Sequence, residues 1–153
     1  MDKEAFMRIA LQEAEQAYRE NEVPVGAVIE YRGEVLCQDH NRREQLHSPL
    51  AHAEILVIDK ASKLLGTRNL QECTLYVTLE PCPMCAGTIL MANLGKCFFG
   101  AADTKQGCME SVYCICEDPA FYNNVFSCGG LLEDEASALL KNFFKERRQH
   151  DKY

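Results

Sequence analysis

Tryptophan is absent from this chain, and nowhere does it approach the roughly 18 consecutive apolar residues that a membrane-crossing helix needs. Positive charge is also scarce: 16 Lys and Arg stand against 23 Asp and Glu, a net charge of −7. Phosphate binding is driven by cations, so this balance argues against a broadly basic nucleic-acid face and leaves that role to local patches. No repeat, low-complexity tract or linker-like stretch interrupts the sequence, which reads as one domain over residues 1–153. The opening Met1-Asp2-Lys3-Glu4 is charged and lacks the apolar core of a secretion signal. Nine cysteines, an odd number, in such a chain point to a reducing cytoplasm rather than a disulfide framework. What remains, 47% hydrophobic and 25% charged, is the composition of an ordinary globular protein.

Against that background two short motifs stand out: His52-Ala53-Glu54 and Pro81-Cys82-Pro83-Met84-Cys85. A catalytic zinc keeps three protein ligands and leaves its fourth tetrahedral position to water. His52, Cys82 and Cys85 make such a set, with one Zn²⁺ expected per subunit, and Glu54 is left over as a proton carrier. The spacing resembles the known signature of zinc nucleobase deaminases. A structural zinc or a buried cysteine pair is the competing reading, but it gives Glu54 no task.

The local sequence explains why these residues could meet. Thr74 to Leu79 is β-branched and aromatic and reads as a buried strand. Cys82 to Ala92 reads as a helix, so both thiols lie on one face of its first turn, where free N–H groups favour thiolates. Pro49 stops what precedes it, and Ala51 to Leu64 reads as a second helix with Ile55, Ile58, Ala61 and Leu65 on its inner face. His52 and Glu54 then share its first turn. An ion held by two thiolates and one imidazole is neutral overall and acidifies water less than an all-histidine site. Glu54 is therefore expected to take a proton from the attacking water, pass it to a ring nitrogen, and protonate the departing ammonia.

Elsewhere, Lys3 to Asn21 reads as a helix with Phe6, Ile9, Ala10, Ala14 and Ala17 facing inward, ended by Pro24. Val25–Ile29 and Val35–Cys37 read as a hairpin about the turn Tyr31-Arg32-Gly33-Glu34. Lys96–Gly100 and Val125–Cys128 are further strands, and a last helix runs from about Glu133 to Arg148. The predicted fold is α/β: a three-layer α/β/α sandwich on a mixed five-stranded sheet, with an N-terminal antiparallel hairpin and a parallel remainder. Cys108, Cys114, Cys116 and Cys128 form a second group; small buried hydrophobes are the expected role, a second metal the alternative.

These residues together resemble the cytidine/deoxycytidylate deaminase superfamily, and within it the bacterial tRNA-specific adenosine deaminases. The resemblance runs from near the N-terminus to about Arg148. It is carried by Val23-Pro24-Val25-Gly26-Ala27-Val28, Asn41, Ala51 to Ile55, Leu75 to Cys82, Met84-Cys85-Ala86-Gly87, Phe99-Gly100, Asp103, Lys105 and Phe143 to Arg148. It implies a cytidine deaminase-like fold and hydrolysis of adenosine to inosine at the wobble position of tRNA. It also implies a homodimer whose second subunit helps to shape each RNA site. Asn41 would bond the flipped purine, Val23, Pro24 and Leu79 would line the base pocket, and the Ala53 backbone would meet the base edge. Asp103 would approach the ribose or a neighbouring nucleotide, with Lys105 a weaker contact. A splayed anticodon loop suits such a pocket, since one base can enter at modest unstacking cost.

Three segments depart from the family pattern. Ser48-Pro49-Leu50 stands where Asp-Pro-Thr is usual, Gly107-Cys108-Met109-Glu110-Ser111 replaces a small glycine-rich loop, and Tyr122-Asn123-Asn124 replaces an Asn-His pair. All three fall where the resemblance places the pocket rim and anticodon contact. The alternative function is therefore deamination of a free nucleobase or nucleoside, such as guanine or cytosine. A non-catalytic zinc domain is a third possibility. The C-terminal Lys141 to Arg148 mixes aromatics and cations, as an RNA surface would, yet has the spacing of a core helix.

Overall fold

The computed structural model describes residues 1–151, with side chains as far as Arg148; Lys152 and Tyr153 of the expected domain lie outside the described residues. Helix α1 (Lys3–Arg19) leads into strands β1 (Gly26–Tyr31) and β2 (Glu34–His40), then helix α2 (Ala53–Leu65). Strand β3 (Cys73–Leu79), helix α3 (Pro83–Met91), strand β4 (Lys96–Ala101), a 3-10 turn (Ile115–Glu117), strand β5 (Phe126–Cys128) and helix α4 (Glu133–Asp151) follow. The sheet order is β2-β1-β3-β4-β5. β1 runs antiparallel to both β2 and β3, while β3, β4 and β5 are parallel. This is the expected sandwich. No helix among the described residues is long and apolar enough to cross a membrane.

Alternation along the central strands builds two separate cores, one on each face. Ala27, Ile29, Leu75, Val77, Cys97 and Phe99 point to the layer of α2 and α3. Val28, Tyr76 and Phe98 point to the layer of α1 and α4. On that side Phe6, Tyr76 and Phe98 stack in a row, with centroids 5.2 and 5.4 Å apart. Strands buried on both faces have no polar side, which is why they read as apolar runs. Helix α1 is pressed hard onto the start of β1: a Cβ on Gly26 would stand 1.9 Å from the Ala10 carbonyl oxygen and 2.6 Å from the Ala14 nitrogen. Only glycine fits there.

Several expected boundaries shift, each for a local reason. α1 ends at Arg19, before Pro24, because Asn21 adopts a left-handed conformation at φ 64°. Its inward stripe includes Met7 and Leu11, while Ile9 is only half-buried. α2 begins at Ala53, with His52 as its extended N-cap, and α3 at Pro83, with Cys82 as N-cap. Ile55 is half-buried because the inner stripe of α2 is Glu54, Val57, Ile58 and Ala61, rotated to bring a carboxylate inward.

β2 extends past Cys37 to His40, and its polar end is buried. There His40 Nδ1 lies 2.6 Å from Glu13 and Nε2 lies 2.9 Å from Glu20. Asp39 accepts from Arg42 and from Lys60, each at 2.7 Å. Burial pushes the Asp39 carboxyl up, but Lys60, the His40 N–H and Arg42 together hold it below its ordinary value. Hydrogen bonding to His40, helped by Gln16, draws the Glu20 carboxyl down to about 2. This cluster ties α1 to the end of β2, immediately before Asn41.

Candidate active site

Two helix starts meet beside the carboxyl end of β3. Glu80 and Pro81 lead from the strand to Cys82, and Pro83 opens α3 with the fixed φ that suits a first helical position. The start of α2 is set from outside: the Asn41 side-chain carbonyl accepts a hydrogen bond from Ala53 N–H at 2.8 Å. This replaces the cap that His52 does not provide. His52 Nδ1 then lies 3.5 Å from Cys85 Sγ and 3.8 Å from Cys82 Sγ.

These three atoms could hold a metal ion. Tetrahedral zinc, with bonds of about 2.3 Å to sulfur and 2.0 Å to nitrogen, separates a sulfur from a nitrogen by about 3.5 Å. The observed spacings match, and the donor types are those zinc takes. Electrostatics distinguish the three donors. The Cys85 thiol, His52 and the α3 N-terminus draw Cys82 down to about 4, despite partial burial. Cys85 is pushed up by the neighbouring Cys82 sulfur and by burial. Hydrogen bonding to Cys82 raises the His52 imidazole.

Glu54 stands outside this donor set. It is 4% exposed, and burial pushes its carboxyl above the ordinary range. It lines a cavity of about 300 Å³ together with His52 and Cys82. Of the residues expected at the substrate, Val23, Asn41, Leu79 and Asp103 line that cavity. With its oxygen engaged by Ala53, Asn41 has an amide nitrogen without a protein partner among the described residues. Ala53 is fully buried, its N–H taken by Asn41, and Pro24 is buried next to the lining residues Val23 and Val25. Lys105 lies in adjoining hollows, one of them shared with Phe143, Phe144, Arg147 and Arg148. Asp103 also has a local task, accepting from Lys105 N and Gln106 N at 3.1 Å each.

The cavity includes residues that local sequence patterns do not reveal, Val25, Arg43, Glu80 and Gln106, and Phe144 from the C-terminal aromatic and cationic segment. Arg43 is placed by Glu22, whose buried carboxylate accepts from Glu44 N and Gln45 N at 3.0 and 2.9 Å. At the C-terminal helix the two readings of the sequence divide between neighbours. Phe143 is core, 3% exposed and edge-on to Tyr18, whereas Phe144 is 45% exposed at the cavity mouth. The remaining cysteines do not converge: Cys108 and Cys116 are buried, and Cys114 and Cys128 are exposed. Among the described residues the only other metal-capable group is Glu13–Asp39–His40.

The family model of MafB19-like deaminases matches residues 1–148. The chain belongs to that family. A tRNA-specific adenosine deaminase of Bacillus subtilis is 44% identical over 149 residues, 97% of this chain and 92% of the relative. That of Aquifex aeolicus is 44% identical, covering 98% and 99%. A structure solved in studies of A-to-I editing by tRNA:A34 deaminases at the wobble position superposes with a TM-score of 0.86. It is 40% identical and covers 89% of this chain and 99% of its own. The likeness to these deaminases therefore extends over the whole fold and includes both motif-bearing helix starts.

Proposed function

We propose that this protein hydrolyses adenosine to inosine at the wobble position of tRNA, using one zinc ion held by His52 Nδ1, Cys82 Sγ and Cys85 Sγ. The observation that carries the reading is Glu54: a buried carboxylate beside a three-donor metal set, facing a cavity large enough for a base. Bound there, zinc would supply the Lewis acidity that lets water lose a proton near neutral pH. Glu54 takes that proton and delivers it to purine N1. It then moves the second water proton to the amine, which leaves as ammonia, so one water is consumed and a lactam remains. Asn41 offers only its N–H₂ to the substrate, which suits an acceptor such as purine N7.

The RNA backbone has a local partner despite the acidic total. Arg43 lines the cavity mouth, and Lys105, Arg147 and Arg148 line the hollow beside Phe144, a stacking ring among cations. The reading includes a homodimer. Asn123 donates to Leu90 O and Asn93 Oδ1, tying the segment that carries exposed Phe121 and Tyr122 to the end of α3, where Met91 is 85% exposed. It also includes a cytoplasmic location, where tRNA resides and nine unpaired cysteines persist. The test is to incubate zinc-loaded protein with transcribed arginine tRNA and, separately, with free nucleobases and nucleosides, reading products by mass. Inosine at the wobble base is expected. Ammonia from free guanine or cytosine, with tRNA untouched, would transfer the protein to the small-molecule deaminases.

A further inference from the structure

The site has one buried carboxylate that neither binds the metal nor moves a proton. Glu80 follows the last residue of β3, two positions before Cys82, and is 2% exposed. Its Oε2 accepts from Met109 N, Glu110 N and Ser111 N at 3.2, 2.9 and 2.8 Å. Its Oε1 accepts from Asp103 N at 3.0 Å and from the Ser111 hydroxyl. Four backbone N–H groups and one hydroxyl, drawn from both ends of the 103–111 segment, thus converge on a single side chain. The segment has no regular secondary structure to give it a position of its own.

A second observation shows how closely it is wrapped. A Cβ on Gly107 would fall 2.3 Å from the Glu80 carboxyl carbon and 2.5 Å from the Asp103 carbonyl oxygen, so no side chain is accommodated there. The same segment forms one wall of the site: Asp103 and Gln106 line the base cavity, and Gln106 and Cys108 line the adjoining groove with His52 and Cys82. We propose that Glu80 is the positioning residue of this wall, fixing its distance from the metal ligands and so the width of the pocket offered to the purine. The inference rests on the proposed tRNA reading for its substrate, and on these contacts alone for its geometry. Because the anchor uses backbone N–H groups, the side chains of 108–110 can change without releasing it.

Glu80→Gln keeps one acceptor oxygen and turns the other position into a donor facing donors. For the zinc-loaded variant acting on an anticodon stem-loop, KM is expected to rise on the order of tenfold. The kcat should stay within a few-fold of wild type and zinc content should be unchanged. Amide exchange at Met109, Glu110 and Ser111 should accelerate, while Ala86, bonded to Cys82 O within α3, stays protected. Gly107→Ala pushes on the same carboxylate and should give the same split, which serves if Glu80→Gln does not fold. Unchanged KM with protected loop amides overturns the proposal, and so does joint loss of zinc and kcat, which would make Glu80 a support of the metal. If the wild-type protein is inert toward RNA, the functional reading fails. The exchange comparison then decides the anchor by itself.

Discussion

Two buried clusters in this molecule pair histidine with acids, and they differ in what they leave unsatisfied. Around His40, every charge has a partner: Glu13 and Glu20 flank the ring, and Arg42 and Lys60 close on Asp39. Around His52, two thiols crowd one imidazole, and Glu54 is buried facing a cavity instead of a cation. The first arrangement is complete without a ligand. The second is complete only with one. Convergence of histidine and carboxylates does not by itself mark a reactive centre; incomplete pairing beside an open volume does.

The largest expected effect comes from the incomplete cluster. Cys85→Ala removes a donor from a closed set of three and should abolish both metal content and turnover, checked by metal analysis beside a deamination assay. Glu54→Ala should separate the two: zinc stays at one per chain, while kcat falls by about 10³-fold or more. Loss of zinc in this variant would instead make Glu54 a fourth ligand. The complete cluster should behave in the opposite way. His40→Ala removes the ring shared by Glu13 and Glu20, which keep their bonds from Gln38, Gln16 and Gln45, and should lower stability by about 2 kcal/mol, towards the lower side for buried pairs because both acids are partly open to solvent. Thermal unfolding would show a drop of roughly 6 °C, with zinc retained in the folded protein.

The smallest effect is on pH dependence. Glu20 is held down to about 2, from an ordinary 4.5, and Asp39 is also lowered. A carboxyl depressed by folding stabilises fully above its unfolded value. As pH falls, the unfolded chain takes up protons first, so that contribution declines between 4.5 and 2. In His40→Ala, the Glu20 share of this acid sensitivity should shrink to what Gln16 and Gln45 sustain, which acid titrations followed by circular dichroism would reveal.

The convergence of His52, Cys82 and Cys85 was legible in the sequence because each half of the motif is local. The Cys82–Cys85 spacing fits one helical turn, and His52 and Glu54 sit two apart at another helix start. Strands β1, β3 and β4 were legible as apolar runs because both of their faces are covered. The end of β2 was not: Gln38-Asp39-His40 carries no apolar alternation, and it becomes a strand only because Gly26, Ala27 and Val28 pair with it and α1 supplies Glu13 and Glu20. Arg43, Gln106 and Phe144 come from three distant segments, and no periodicity links them. Glu80 lies between Leu79 and Pro81, but four of its five partners are backbone N–H groups, which no sequence pattern displays.

Asn41 closes the start of α2 with one end of its amide and presents the other end to the cavity. On the proposed reading, retuning this position for a different base would disturb the seating of His52, so selectivity and metal affinity would be inherited together there. Gln106 and Glu110 have no such double duty: each is held by its backbone N–H and has an exposed side chain, whereas Ser111 donates its hydroxyl to Glu80 and Gly107 admits no side chain. Divergence towards new substrates has an open route at those two positions and a closed one at Asn41.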